Sequence, residues 1–256
     1  MRIHFSTVLA PLAAIIFPAL SFAQAPGAEK GAAGKPPAPA PAAAPKPGTA
    51  PGSPKTGAAA LPQRYQSLLV EAMNSFHIRD FAGALKFADR ADEIMPPTTW
   101  SLNVRGAVAI EQRDFAKGQK YCTDALKVDP NFFPAKFNLC EIPFLQEKYA
   151  DARKLWLVLY EETKRDDPTS ELIVYRIFLT CLVEKDFEHA KEWLAKIPFP
   201  SQTPAYHYAH AAMERQQGNM EKWDEWLKSA MYIWPDSKRA SFTDVLIQLG
   251  WMKREQ

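Results

Sequence analysis

One spacing limits what this chain can become more than any other feature. Arg79-Asp80-Phe81, Arg113-Asp114-Phe115 and Glu147-Lys148-Tyr149 follow one another at intervals of 34 residues. A fourth copy, Lys185-Asp186-Phe187, comes 38 residues later, and a fifth, Gly218-Asn219-Met220, comes 33 after that and has lost its aromatic. Self-similarity at such a period means one small structural unit, repeated, in which each copy packs mainly against its neighbours.

Small residues recur in phase with the aromatic. Three places after it stand Ala84, Gly118, Ala152 and Ala190, with Trp223 the exception. Ten places after it stand Ala91, Ala125, Leu159, Ile197 and Ala230, and nine before it Ala72, Gly106, Cys140 and Ala211, with Phe178 the exception. Small side chains at these spacings let two helices approach closely. Pro96, Pro130 and Pro235, fifteen places after the aromatic, would each end the second helix of a pair.

This joint pattern over about residues 62–235 resembles the tetratricopeptide repeat family. The third and fourth copies depart from it, with Lys164 and Gln202 at the closing-proline places, so the second helix of the third copy reads about a turn longer. The expected fold is all-α: a solenoid of about five antiparallel helix pairs with a C-terminal capping helix. First helices are expected near 62–77, 98–112, 132–146, 169–184 and 204–217, and second helices near 81–94, 115–128, 149–165, 187–197 and 220–233. Ser241 to Leu249, opening on Ser-x-x-Asp and closing at Gly250, reads as the capping helix that covers the last apolar face. Pro143, inside the first helix of the third pair, is expected to kink or open it, because proline lacks the N–H and crowds the carbonyl of Leu139.

The chain divides into three regions. Residues 1–23 read as a secretory signal, with Arg2 at the start, an apolar stretch from Phe5 to Leu20 and small residues at Ser21 and Ala23. Residues 24–60 hold 13 Ala, 9 Pro and 6 Gly among 37 residues, with no aromatic, and so cannot bury enough apolar surface to fold. They read as an extended linker, and residues 61–256 as the helical repeat domain. The protein is therefore expected to be secreted or periplasmic. If the signal stays uncleaved, it becomes a membrane-tethered structural subunit instead.

The formal charge of +2 is supplied by Arg2 and the linker lysines, which leaves the repeat region slightly negative and speaks against nucleic acid as a partner. Cys122, Cys140 and Cys181 all fall in expected helices. They read as small buried residues, with a Cys122–Cys140 bridge between neighbouring helices as the alternative.

The resemblance implies that first helices line a concave groove for an extended peptide or a partner's helix. Projected onto this chain, the groove takes Met73 and Phe76, then Trp100, Asn103 and Ile110, then Phe137, Glu141 and Phe144, then Tyr175, Arg176 and Leu179, and finally Tyr208. The candidate binding residues are Asn103, Phe137, Glu141, Tyr175, Arg176 and Tyr208. A carboxylate clamp is not expected, because Leu69 and Met73 stand where it would need lysine and asparagine. His207, His210 and Glu214 share a helical face, but the two histidines hold positions that normally pack, so packing is the better reading than metal ligation. The aromatic tail of Tyr206, Trp223, Trp226, Tyr232, Trp234 and Trp251 reads as core beside the capping helix, or else as an exposed docking face.

No metalloprotease motif, phosphate loop or nucleophile elbow is present. The expectation is a protein- or peptide-binding module without catalytic residues, metal or cofactor. An enzyme or metal-binding protein with an unrecognised site is the remaining alternative.

This reading makes an N-terminal prediction. Intact-mass analysis of envelope fractions should find a mature chain beginning at Gln24, and limited proteolysis should remove residues 24–60 while leaving a resistant core. Full-length chain in the membrane pellet would favour the tether.

Overall fold

The computed structural model describes residues 62–253. The expected signal (1–23) and linker (24–60) lie outside the described residues. Eleven α-helices are present among them and no strand: α1 (Gln63–His77), α2 (Phe81–Asp92), α3 (Thr99–Glu111), α4 (Phe115–Val128), α5 (Phe133–Leu145), α6 (Tyr149–Glu162), α7 (Pro168–Val183), α8 (Phe187–Leu194), α9 (Ala205–Gln216), α10 (Met220–Ile233) and α11 (Asp236–Gln248). Consecutive helices pair as α1/α2 through α9/α10, and each second helix also packs on the first helix of the next pair. No helix among the described residues is long and apolar enough to cross a membrane.

The repeated tripeptide is the turn inside each pair. Its first residue lies in the left-handed region every time: Arg79 (φ 65°), Arg113 (64°), Glu147 (62°), Lys185 (62°) and Gly218 (84°). The next residue donates its N–H back across the end of the first helix. Asp80 bonds to Ser75 O, Asp114 to Ala109 O, Lys148 to Pro143 O, Asp186 to Cys181 O and Asn219 to Glu214 O, all at 2.8–3.0 Å. This closes orphan carbonyls at the first helix's C-terminus. In three turns the same residue caps the second helix, with Asp80 accepting from Gly83 N, Asp114 from Lys117 N and Asp186 from His189 N. The turn thus ends one helix and starts the next within three residues.

Side chains from one turn stitch to the next repeat. Arg79 Nη1 meets Glu111 Oε2 at 2.9 Å at the end of α3, and Arg113 Nη1 donates to Leu145 O at 2.7 Å at the end of α5. Arg153 of α6 reaches Thr180 Oγ1 at 3.1 Å and pairs with Glu184 at the end of α7. Glu171 of α7 gathers the loop before α9, accepting from the backbone N–H of Gln202 (3.0 Å) and Thr203 (3.1 Å).

Three local expectations are corrected. The helix α6 is not a turn longer: it ends at Glu162, and Thr163–Asp167 form the connection. Thr163 Oγ1 donates to Leu159 O and Arg165 Nη1 to Tyr160 O, both at 2.7 Å, so side chains take up the last carbonyls in place of another helical turn. The helix α5 runs through Pro143 without interruption to Leu145, so it does not open there. The proline sits in the last turn, where its missing N–H costs one bond and no long segment follows. The last helix begins at Asp236, just past Pro235, and not at Ser241.

Burial divides the helices into two kinds. Second helices such as α4 and α6 bury three residues each, whereas α5 buries nine of 13 and α7 thirteen of 16. First helices form the inner layer. They approach their partners closely: a Cβ added at Gly118 would lie 2.5 Å from Ile110 Cγ1, and one at Gly106 2.8 Å from Cys122 Sγ.

Urea denaturation should therefore show Gly118→Ala less stable by about 1–3 kcal/mol, the range for overpacking a tight contact. The exposed Lys185 should behave oppositely. Relief of left-handed strain of about 1–2 kcal/mol, set against a glycine entropy cost of about 0.5–1 kcal/mol, predicts that Lys185→Gly gains up to about 1 kcal/mol.

Candidate functional site

The helix α7 is the centre of the inner layer. An almost unbroken apolar run from Leu172 to Leu182 gives it no polar face, and such a helix is stable only when covered on every side. The helices α6, α8 and α9 supply three sides. The remaining side is met by α5, through Glu141 and Phe137 against Arg176, and by α11: the Phe242 ring lies 5.3 Å from Tyr175 and 5.8 Å from Tyr208, between centroids. Two polar contacts frame it. Tyr208 OH and Thr243 Oγ1 are 2.6 Å apart, and Arg176 Nη2 donates to Ser241 O at 3.3 Å.

A chain of buried polar groups continues inward from there. Arg176 Nε stands 2.7 Å from Glu141 Oε1, close enough for an ion pair but not aligned as a hydrogen bond, and the guanidinium lies over the Phe137 ring at 5.7 Å. Asn138, one turn before Glu141 on α5, donates through Nδ2 to Asn103 Oδ1 at 2.9 Å. Several atoms in this chain find no hydrogen-bond partner among the described residues: Asn103 Nδ2, Asn138 Oδ1, Glu141 Oε2, Tyr175 OH and Arg176 Nη1. Burial pushes the Glu141 carboxyl up from the ordinary range, and Arg176 pulls it partly back. Burial also raises the Tyr175 hydroxyl well above its usual value, so it stays a neutral donor.

All six residues expected to line a groove are on the inner layer, but none faces solvent. Asn103, Phe137, Glu141 and Tyr175 are fully buried, Tyr208 is 1% exposed and Arg176 2%. The expectation of an open surface at these positions is corrected, for two physical reasons. Phe137 packs inside its own helix pair, 4.4 Å from Trp156 of α6. Tyr175, Arg176 and Tyr208 do face inward, but the chain's own last helix lies over them. The structure joins Glu141 to Arg176 and Tyr175 to Tyr208 through Phe242. Asn103 joins this set only through Asn138, which sequence reasoning missed along with Ser241, Phe242 and Thr243. No local signal marks those four, because their partners lie 34 or more residues away.

The other candidates settle into the packing. All three cysteines are free and buried, so the Cys122–Cys140 bridge is not formed. Burial pushes the Cys122 thiol up to about 12 and raises the other two, which leaves them poor nucleophiles. His210 stacks on Trp226 at 4.8 Å and His207 meets the same ring at 5.9 Å. Burial lowers both imidazoles, and no cluster of three potential metal ligands exists among the described residues. In the aromatic tail Trp223 is buried, while Tyr232 is 93% exposed.

No family model matches this chain, and no curated protein matches it. Among solved structures, "MamA RS-1 ArsTM double mutant" is similar to it at 15% identity over 68% of this chain and 96% of that one, with a TM-score of 0.46. The fold as described rests on the helices of this chain themselves.

The Glu141–Arg176 pair makes a signed prediction. Arg176→Met leaves a buried carboxylate without its cation, which should cost about 3–5 kcal/mol at pH 7. The folded-state pKa of Glu141 is already raised and rises further in this variant, so protonation favours the fold. The deficit relative to the parent should shrink as pH falls from 7 to 5, measured by urea denaturation at each pH. A deficit independent of pH would mean that Glu141 does not carry charge in the parent.

Proposed function

We propose that this chain is an exported scaffold that binds a polypeptide partner in the cell envelope and acts by non-covalent contact, without catalysis. The observation that supports the reading is the seating of α11: the inner face of α7 and α9 holds a helix by one aromatic anchor, Phe242, inside a frame of tyrosine, threonine and arginine contacts. A surface with that chemistry suits a helical polypeptide better than a small polar substrate, because its recognition area is long, apolar and edged by single polar groups. The signal-like residues 1–23 support export, and the Pro-rich residues 24–60 suit a spacer between that end and the solenoid.

The test is capture from envelope extract by the full chain carrying a photo-cross-linking residue. Labels at Met73, on the first pair's inner helix, and at Ala240, at the exposed edge of α11, should form an adduct of discrete mass with a polypeptide. A label at the outward Lys191 of α8 should not. The complex should survive added salt, since its contacts are mainly apolar. Equal labelling from all three positions overturns the inner-face reading.

A further inference from the structure

The helix α11 fits the inner face imperfectly. Of its 13 residues only Phe242, Val245, Leu246 and Ile247 are buried, while Asp236, Ser237, Lys238 and Ala240 are exposed. Its C-terminus is closed at Gly250, where Trp251 N–H bonds to Leu246 O at 2.8 Å, but its N-terminus after Pro235 has no side-chain cap. The surface beneath is also poorly served. Tyr175 OH is buried without a partner, Arg176 Nη1 is buried without a partner, and Arg176 Nη2 reaches only the carbonyl of Ser241. That carbonyl is inside a helix, where the backbone already uses it. A native contact normally satisfies its buried polar atoms, so two orphaned donors under one helix mark a surface shaped for a better acceptor than this helix carries.

We propose that α11 is a resident, displaceable occupant of a helix-binding site on α7 and α9. Its outside ligand is a partner polypeptide's helix that carries an aromatic anchor like Phe242 and, beside it, a side-chain oxygen acceptor for Tyr175 and Arg176. This rests on the polypeptide-binding reading above and adds the site, the ligand's chemistry and its regulation. Because α11 is tethered through Trp234-Pro235, it competes at high effective concentration, so an outside helix wins only by supplying what α11 lacks.

The experiment uses the full chain, as parent and as Phe242→Ala, with two fluorescent synthetic peptides spanning residues 234–252. One has the native sequence and the other carries Ser241→Asp, which adds a carboxylate at the residue whose carbonyl Arg176 reaches. The Phe242→Ala chain should bind the native peptide at least about tenfold more tightly than the parent chain does, because its own helix no longer competes. It should bind the Ser241→Asp peptide about tenfold more tightly than the native one, the usual gain from a charged hydrogen bond.

A Phe242→Ala chain that keeps its helicity by circular dichroism and binds neither peptide overturns the proposal. So does equal binding by parent and variant. Equal affinity for the two peptides overturns the acceptor. A dimer of the variant by light scattering, dissolved by the native peptide, would assign the site to a second copy of this chain and overturn the outside ligand. Hydrogen exchange on the unaltered chain covers the case in which the variant unfolds. Amides of α11 should exchange at least about tenfold faster than those of α7 and α9, and equal protection sinks the proposal. If peptide binding fails while cross-links from Met73 persist, the polypeptide-binding reading stands and only the role of α11 falls.

Discussion

The two helices of a pair approach so closely that their contact sets the geometry of every later element. Where Gly106 and Gly118 face Cys122 and Ile110, there is no room for one more carbon. Packing at that distance removes water from both helices and fixes the angle at which they leave the turn. The left-handed residue of each turn is the conformational cost of that angle. Four of the five turns pay it with a residue that has a side chain, and Arg79 and Arg113 use theirs to tie the turn to the next repeat.

From this geometry follows the inner layer. Stacked pairs bring the first helices together, and their apolar character increases toward α7, which has no face left for water. Such a helix requires a cover. In this protein the cover is α11, so the C-terminal cap and the occupant of the inner face are one element. Its two duties pull against each other. A pure cap would be apolar and well satisfied, whereas this contact leaves Tyr175 and Arg176 with donors unserved.

The buried polar chain from Asn103 to Arg176 has a comparable cost. An ion pair taken out of water gains little net stability, so Glu141 and Arg176 are weak evidence for a structural role and better evidence for specificity in how the inner helices register. The cysteines carry no such tension: each is small, buried and held as a neutral thiol. His207 and His210 lie against Trp226, and burial shifts both toward the neutral form.

Helix number, order and turns were legible in the sequence because each copy of the 34-residue unit carries its own local signals: an aromatic at the turn, small residues in phase with it and a proline after several of the second helices. Boundaries went wrong where a side chain outside the pattern took over a helix end, as Thr163 and Arg165 do on α6. The inner-layer assignment of Tyr175, Arg176 and Tyr208 was also legible, since one face of a helix follows from phase. Their exposure was not. Whether an inward side chain meets water or another helix depends on where residues 236–248 come to lie, 28 or more positions along the chain. A solenoid of helix pairs follows from the 34-residue period alone. The occupied inner face does not, because occupancy is set by long-range packing that no local period encodes.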